Sequence, residues 1–150
     1  MTKDKKPDWD GCPTRYAAGI VGDKWCFLIL RDVLLHGKRT YSEFLKGPEG
    51  ISTNILANRL ARLEAADMLD RQIDPRKASR VCYFPTRKAR DVLPALISIM
   101  VWSTKYDPAT EAPASFAAGY QADPIAAIDW YEAEIDRIDA EILARFDHGQ

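Results

Sequence analysis

Between Ser52 and Glu64 the chain sets Thr53, Asn54, Ala57, Asn58 and Arg62 at helical spacing, with Arg59 at the margin of the same face. Short amides and hydroxyls ending in a cation are the groups that hydrogen-bond base edges and phosphates in a major groove. An ordinary surface helix carries such residues too, so the flanking segments have to decide between the two readings. Two further sets of cations flank it: Lys38 and Arg39 ahead, and Arg76, Lys77 and Arg80 behind. Catalytic chemistry has far less to work with. His36 and His148 are isolated, and the chain has neither a GxSxG motif nor a Gly-rich phosphate loop, so no enzyme is expected. Cys12, Cys26 and Cys82 are widely spaced, without CxxC or His-x-x-x-His, so neither a metal nor another cofactor is expected.

The elements that must position these residues are legible on both sides. Ser52 or Thr53 can cap a helix whose Ile55, Leu56, Leu60 and Leu63 form the apolar stripe. Before it, Thr40 and Glu43 make a capping box for a short helix, and Gly47-Pro48-Glu49-Gly50 is a tight turn. Short helix, turn and longer helix form a helix-turn-helix pattern. After it, Leu69–Asp74 and Arg80–Phe84 read as a hairpin with Pro75-Arg76-Lys77-Ala78-Ser79 at its tip. A solvated turn explains that tip by itself; after a helix-turn-helix of the same sign, the hairpin reads as a wing over adjacent phosphates.

Upstream, Pro13 opens a short helix that Gly22 stops, and Asp23 caps a second, from Lys24 to His36, apolar nearly all round and therefore central to the fold, with Gly37 at its end. Cys26 on that helix reads as packing, and Cys82 is expected on the outer side of the hairpin. Downstream, Thr86 caps a helix interrupted at Pro94. Residues 107–123 read as a linker that docks through Phe116 and Tyr120. From Pro124 to Phe146 a long helix carries Ile128, Tyr131, Ile135, Ile138 and Ile142 at spacings of three and four. That stripe can pack on the chain's own core or on a second copy; the second is favoured because the domain ahead already looks complete. The expected class is mainly α with a small β-hairpin (α+β), a winged helix-turn-helix with an additional C-terminal helix. Its expected parts are a 1–11 arm, a 12–106 DNA-binding domain, a 107–123 linker and a 124–150 acidic helix for dimer or core packing.

Charge is divided as sharply as the motifs. Residues 107–150 hold 2 Lys+Arg against 10 Asp+Glu, leaving 19 against 12 in residues 1–106, although the whole chain is at -1. A cationic front suits a polyanion, and an anionic tail must point away from it. No apolar run long enough to span a bilayer and no signal-peptide pattern occur, so a cytoplasmic protein without membrane contact is expected.

Taken as a set, these residues resemble the HxlR-type family of winged helix-turn-helix transcriptional regulators. The resemblance rests on Cys12-Pro13, Gly22-Asp23-Lys24-Trp25, Leu28-Ile29-Leu30-Arg31, Gly37-Lys38-Arg39-Thr40-Tyr41-Ser42-Glu43-Phe44 and Gly50-Ile51-Ser52. It continues through Leu56, Arg59-Leu60, Leu63-Glu64, Arg80-Val81, Tyr83 and Thr86, and covers roughly residues 12 to 105. It implies a homodimer on a double-stranded operator, each subunit offering one recognition helix and one wing, with dimer contacts around 14–21 and 87–105. It also implies sensing of electrophiles or oxidants at Cys12, since several members use the Cys before Pro. Arg15 and the first helix N-terminus would favour a thiolate there; a small apolar residue tucked under the helix is the competing reading. The chain departs from the family pattern at Phe84-Pro85-Thr86, at Ala89 where Gly is frequent, at Asn54 where a basic residue is frequent, and in its length beyond 107.

The function expected from all this is a dimeric DNA-binding regulator. Asn54, Ala57 and Asn58 lie near base edges, and Thr53, Arg59, Arg62, Lys38, Arg39, Arg76, Lys77 and Arg80 on phosphates. The alternative is an interaction module presenting the C-terminal helix. A small-molecule effector could lodge among Trp102, Tyr106, Phe116, Tyr120 and Trp130, which core packing explains as well.

Overall fold

A computed structural model describes residues 11–147. The expected arm therefore lies outside the described residues except for Gly11, as does His148. Helix α1 (Pro13–Val21) starts at its proline and leads into α2 (Lys24–Leu34), where the Asp23 carboxylate accepts from the Trp25 and Cys26 amides, both at 3.0 Å. Helix α2 ends at Leu34 rather than His36, and the chain reverses through Gly37 at φ +68. Helix α3 (Tyr41–Leu45) is closed by the expected Thr40–Glu43 capping box, and α4 (Thr53–Ala65) is capped by Ser52. Gly50, at φ +70, makes the turn between them.

Strands β1 (Leu69–Ile73) and β2 (Val81–Pro85) pair antiparallel, with Leu69 opposite Pro85 and Ile73 opposite Val81. The hairpin therefore stands where the alternation put it. Cys82 lies with Phe84 on the side away from Tyr83, which packs on the core, yet it is only 2% exposed. Thr40 and Arg39 pair along the free edge of β2, with Tyr83 N–H donating to the Arg39 carbonyl at 2.7 Å, and Phe146 of the C-terminal helix meets Phe84 edge to face, so the outer side is covered and does not face solvent.

The core gathers Ile29, Leu30, Val33 and Leu34 of α2 against Leu56, Leu60 and Leu63 of α4, with Met68 and Leu69 closing one side. Burying such aliphatic side chains contributes roughly 1.5–3 kcal/mol each. The post-wing helix is split into α5 (Arg87–Arg90) and α6 (Leu93–Tyr106), the break falling just before Pro94, whose missing N–H suits a first turn. Residues 107–123 are not a plain linker: they contain α7 (Ala114–Ala122), whose Phe116 and Tyr120 pack on the core, with Tyr120 OH 3.1 Å from Ser98 Oγ.

Helix α8 (Pro124–Asp147) docks the middle of its stripe on its own domain. Ile135 is 2% exposed within the core, and Ile128 and Tyr131 pack beside it, while Ile125 and Trp130 on the same helix are 73% and 61% exposed. Its acidic face meets the cations after the wing. Arg87 Nη1 reaches Glu132 at 2.8 Å; Arg90 reaches Asp136 at 2.6 Å, and Glu132 and Asp139 at 3.1 Å each. The surplus negative charge of the tail is thus partly neutralised on its own domain, which a one-dimensional reading could not anticipate. Among the described residues no helix is long and apolar enough to cross a membrane.

Candidate nucleic-acid interface

Helix α4 buries one side and displays the other. Leu56, Leu60 and Leu63 face the core, while Thr53, Asn54, Ala57, Asn58 and Arg62 are exposed along the opposite side. The exposed row is held by contacts at both ends. Tyr41 OH donates to the Thr53 carbonyl at 3.0 Å, tying the start of α4 to α3. Farther along, Arg59 Nε donates to Asp23 at 2.9 Å, and Arg62 Nη2 donates to the Gly19 carbonyl at 2.8 Å. Arg59 Nη1 also donates to the Asn58 side-chain oxygen at 2.7 Å, which leaves the Asn58 amide group as an outward donor.

The two arginines on this helix therefore have structural partners that spacing did not reveal. Asp23 was legible as an N-cap; that one of its oxygens serves both the cap and Arg59 appears only in three dimensions. The guanidinium of Arg59, followed by the Cys26 amide, holds the Asp23 carboxyl down at about 2, well below the ordinary 3.8.

The wing tip is organised by a residue that the motif did not single out. Asp74 is 2% exposed; its side chain accepts from Arg76 N–H at 2.9 Å while its carbonyl accepts from Lys77 N–H at 3.1 Å. This closed turn projects Arg76, Lys77 and Arg80, all exposed. Arg76 Nε and Arg80 Nη1 stand 3.8 and 3.7 Å from Asp74, ion pairs too long to be hydrogen bonds.

The cations ahead of α3 behave differently. Lys38 Nζ is held by Asp32 at 3.0 Å, in a cluster where the same carboxylate takes Arg31 and His36. Arg39 leaves the phosphate set altogether. It is 1% exposed, with Nε on Asp139 at 2.8 Å and Nη1 on the carbonyls of Val33 at 2.7 Å and Lys38 at 2.9 Å. A guanidinium so enclosed is a packing element joining α2, α3 and α8, not a group that reaches DNA.

Of the thiols, burial pushes Cys26 up to about 11 and raises Cys82 as well, which keeps both protonated. Cys12 occupies the N-cap position of α1 and is partly exposed. The aromatic set expected around an effector is divided. Phe116, Tyr120 and Trp130 line a cleft of about 220 Å³. Trp102 and Tyr106 instead sit against each other at the surface, each 64% exposed. No group of three or more potential metal-ligating side chains occurs among the described residues.

Comparison with known proteins agrees with this geometry. The model of the family described as HxlR-like helix-turn-helix matches residues 20–111. The uncharacterised HTH-type transcriptional regulator sll1512 of Synechocystis is 33% identical over 88 residues, which are 59% of this chain and 64% of that protein. The match thus leaves about a third of sll1512 outside it. Among solved structures, PA1607 superposes with a TM-score of 0.60 at 31% identity, covering 69% of this chain and 71% of the other. The reduced form of the transcriptional regulator YodB from Bacillus subtilis gives 0.55 at 27%, covering 67% and 98%. All of these matches lie short of the full chain, and the family match ends before α7 and α8.

Proposed function

The chain belongs to the HxlR-like helix-turn-helix family of transcription regulators, and from that premise we propose that it is a dimeric DNA-binding regulator that inserts α4 into the major groove. Asn54 and Asn58 read base edges, with the Ala57 methyl group between them. Arg76, Lys77 and Arg80 rest on phosphates beside the groove, assisted by Thr53 and by the outer edges of Arg59, Arg62 and Lys38. The observation that carries this reading is the rigidity of the exposed α4 face. Its polar side chains point outward while Asp23, Gly19 and Tyr41 fix the helix that bears them. Preorganisation of that kind lowers the ordering cost of docking.

Dimerisation is supported by exposed aromatic surface on α1 and α6. Tyr16 is 62% exposed, with Lys88 Nζ 5.4 Å from its ring centre; Trp102 and Tyr106 are 64% exposed each, and Ile99, one turn before Trp102, is exposed as well. In the proposed dimer this surface is buried between copies and each subunit offers one α4 to the duplex. The interaction-module alternative is weaker because the middle of α8, at Ile128, Tyr131 and Ile135, already packs on its own domain.

The test is a mobility assay on genomic operator fragments at two salt concentrations, comparing wild type with Arg76→Ala plus Lys77→Ala. Loss of two phosphate contacts from each subunit of the dimer should weaken binding to all sequences and lower the salt slope by about 4. Unchanged affinity and slope would remove the wing from the interface. The solved structures that resemble this chain include a redox regulator, HypR, in its oxidised form, similar in fold at 23% identity. Cys12 is the residue through which this chain would sense electrophiles, with α1 as the element displaced. Diamide should then change DNA affinity in the wild type and leave Cys12→Ser unaffected.

A further inference from the structure

We propose that the cleft between the wing, α3 and the end of α8 binds a small organic anion, a carboxylate carried on an apolar or aromatic body. The cleft has a volume of about 620 Å³, within the range of small-molecule sites. Its cationic wall is contributed by three parts of the chain: Arg76, Lys77 and Arg80 from the wing, Arg145 from α8, and Arg39 behind α3. Against these five stand three carboxylates, Glu43 and Asp74 in the wall and Asp139 on Arg39, and all are already engaged. Glu43 accepts from the Arg39 and Thr40 amides at 2.7 and 2.9 Å, Asp74 from the Arg76 amide at 2.9 Å, and Asp139 from Arg39 Nε at 2.8 Å. Arg76 and Arg80 reach Asp74 only at 3.8 and 3.7 Å, so their N–H groups are not satisfied by it.

A second observation at the same wall points to a ligand. Arg39 is 1% exposed, and its Nη2 is buried without a hydrogen-bond partner among the described residues. An unmet donor of this kind is costly in an enclosed site and is relieved by an acceptor. A carboxylate offers two acceptor oxygens in the plane that guanidinium groups match, and its charge answers the excess of cations. The rest of the lining is mixed: Val81, Cys82, Ile142 and Phe146 supply an apolar strip for the body of the ligand, beside the hydroxyl-bearing Thr40 and Ser42. Phe146 is held in place by Phe84, edge to face at 6.5 Å. Arg145 and Phe146 belong to α8, beyond the residues that the family shares, so this wall is a property of the extension.

Because the same wing cations are proposed above for phosphates, occupancy should compete with DNA, a consequence that rests on that reading. Binding itself is tested without DNA. Isothermal titration of the full chain with 2-naphthoate should show one molecule per chain, with uncharged 2-naphthamide at least 10-fold weaker. Arg145→Ala should weaken naphthoate at least 5-fold, and Arg145→Lys should recover part of the loss; a thermal melt of each variant at the wild-type temperature shows that the fold is intact. No heat at millimolar naphthoate, equal binding of acid and amide, or indifference to Arg145→Ala would each overturn the site. Mobility assays with and without naphthoate then read the competition: an unchanged DNA affinity overturns the coupling alone. Failure of the wing variants described above would strike the DNA reading and leave the titration standing.

Discussion

Arg39 and Asp139, one hundred positions apart in sequence, meet at 2.8 Å through the arginine Nε, and the guanidinium is 1% exposed where they do. The contact fastens the C-terminal helix to the segment that leads into α3. Its neighbour Arg90 shares the same aspartate at 3.1 Å, so one carboxylate joins the tail to both sides of the winged domain.

Removing that carboxylate leaves a buried cation without its counter-charge. Breaking a buried pair from one side costs about 3–5 kcal/mol, and because water reaches Asp139, 13% exposed, Asp139→Ala is placed near the lower figure, about 3 kcal/mol, by urea denaturation. Arg39→Ala should weaken DNA binding only in proportion to lost folded protein. A salt slope lowered by about 2, one phosphate per subunit of the dimer, in a fully folded Arg39→Ala sample would return Arg39 to the phosphate set.

Asn54 and Asn58 should carry sequence preference rather than affinity at large. Replacing Asn58 by Ala is expected to remove about 1–3 kcal/mol of discrimination between operator variants differing at a single base pair, with the salt slope unchanged. Competition with a panel of point-substituted operators measures this. A uniform loss across the panel would show Asn58 acting on the backbone.

Asp23 links stability to acid. Its folded-state value is about 2 against an ordinary 3.8, so its contribution is present above about pH 4 and is lost as pH falls through that interval toward 2. After allowance for solvent screening, the contribution is about 1 kcal/mol. Asn keeps the cap but not the charge; Asp23→Asn should therefore be less stable than wild type at pH 6 and converge with it near pH 2. Parallel stability curves for the two proteins would rule out the Asp23–Arg59 pair as their source.

The thiols should separate by burial. Iodoacetamide at pH 8 is expected to modify Cys12 in the folded protein and to reach Cys26 and Cys82 only after unfolding, since both are buried with raised values. Peptide mass mapping before and after urea distinguishes these. Modification of Cys82 under native conditions would mean that the hairpin opens away from α3.

What the sequence determined by itself is local. The caps at Asp23, Thr40, Ser52 and Thr86, the turn at Gly50, the stripe of Leu56, Leu60 and Leu63, and the hairpin around Arg76 and Lys77 depend on neighbours within a few residues, which periodicity and turn chemistry report. The tertiary structure decided matters in which charge meets charge across long separations. Arg39 reads as an ordinary surface cation until Asp139 arrives beside it, and Arg59 as a cation free of the protein until Asp23 is found at 2.9 Å. Cys82 keeps the outer side that alternation assigns it but is buried there, because the C-terminal helix brings Phe146 against Phe84 on that side of the hairpin. Ile135 finds its cover in the same way: an amphipathic helix specifies that its apolar residues seek a partner surface, and only packing shows that this one rests on the chain's own core.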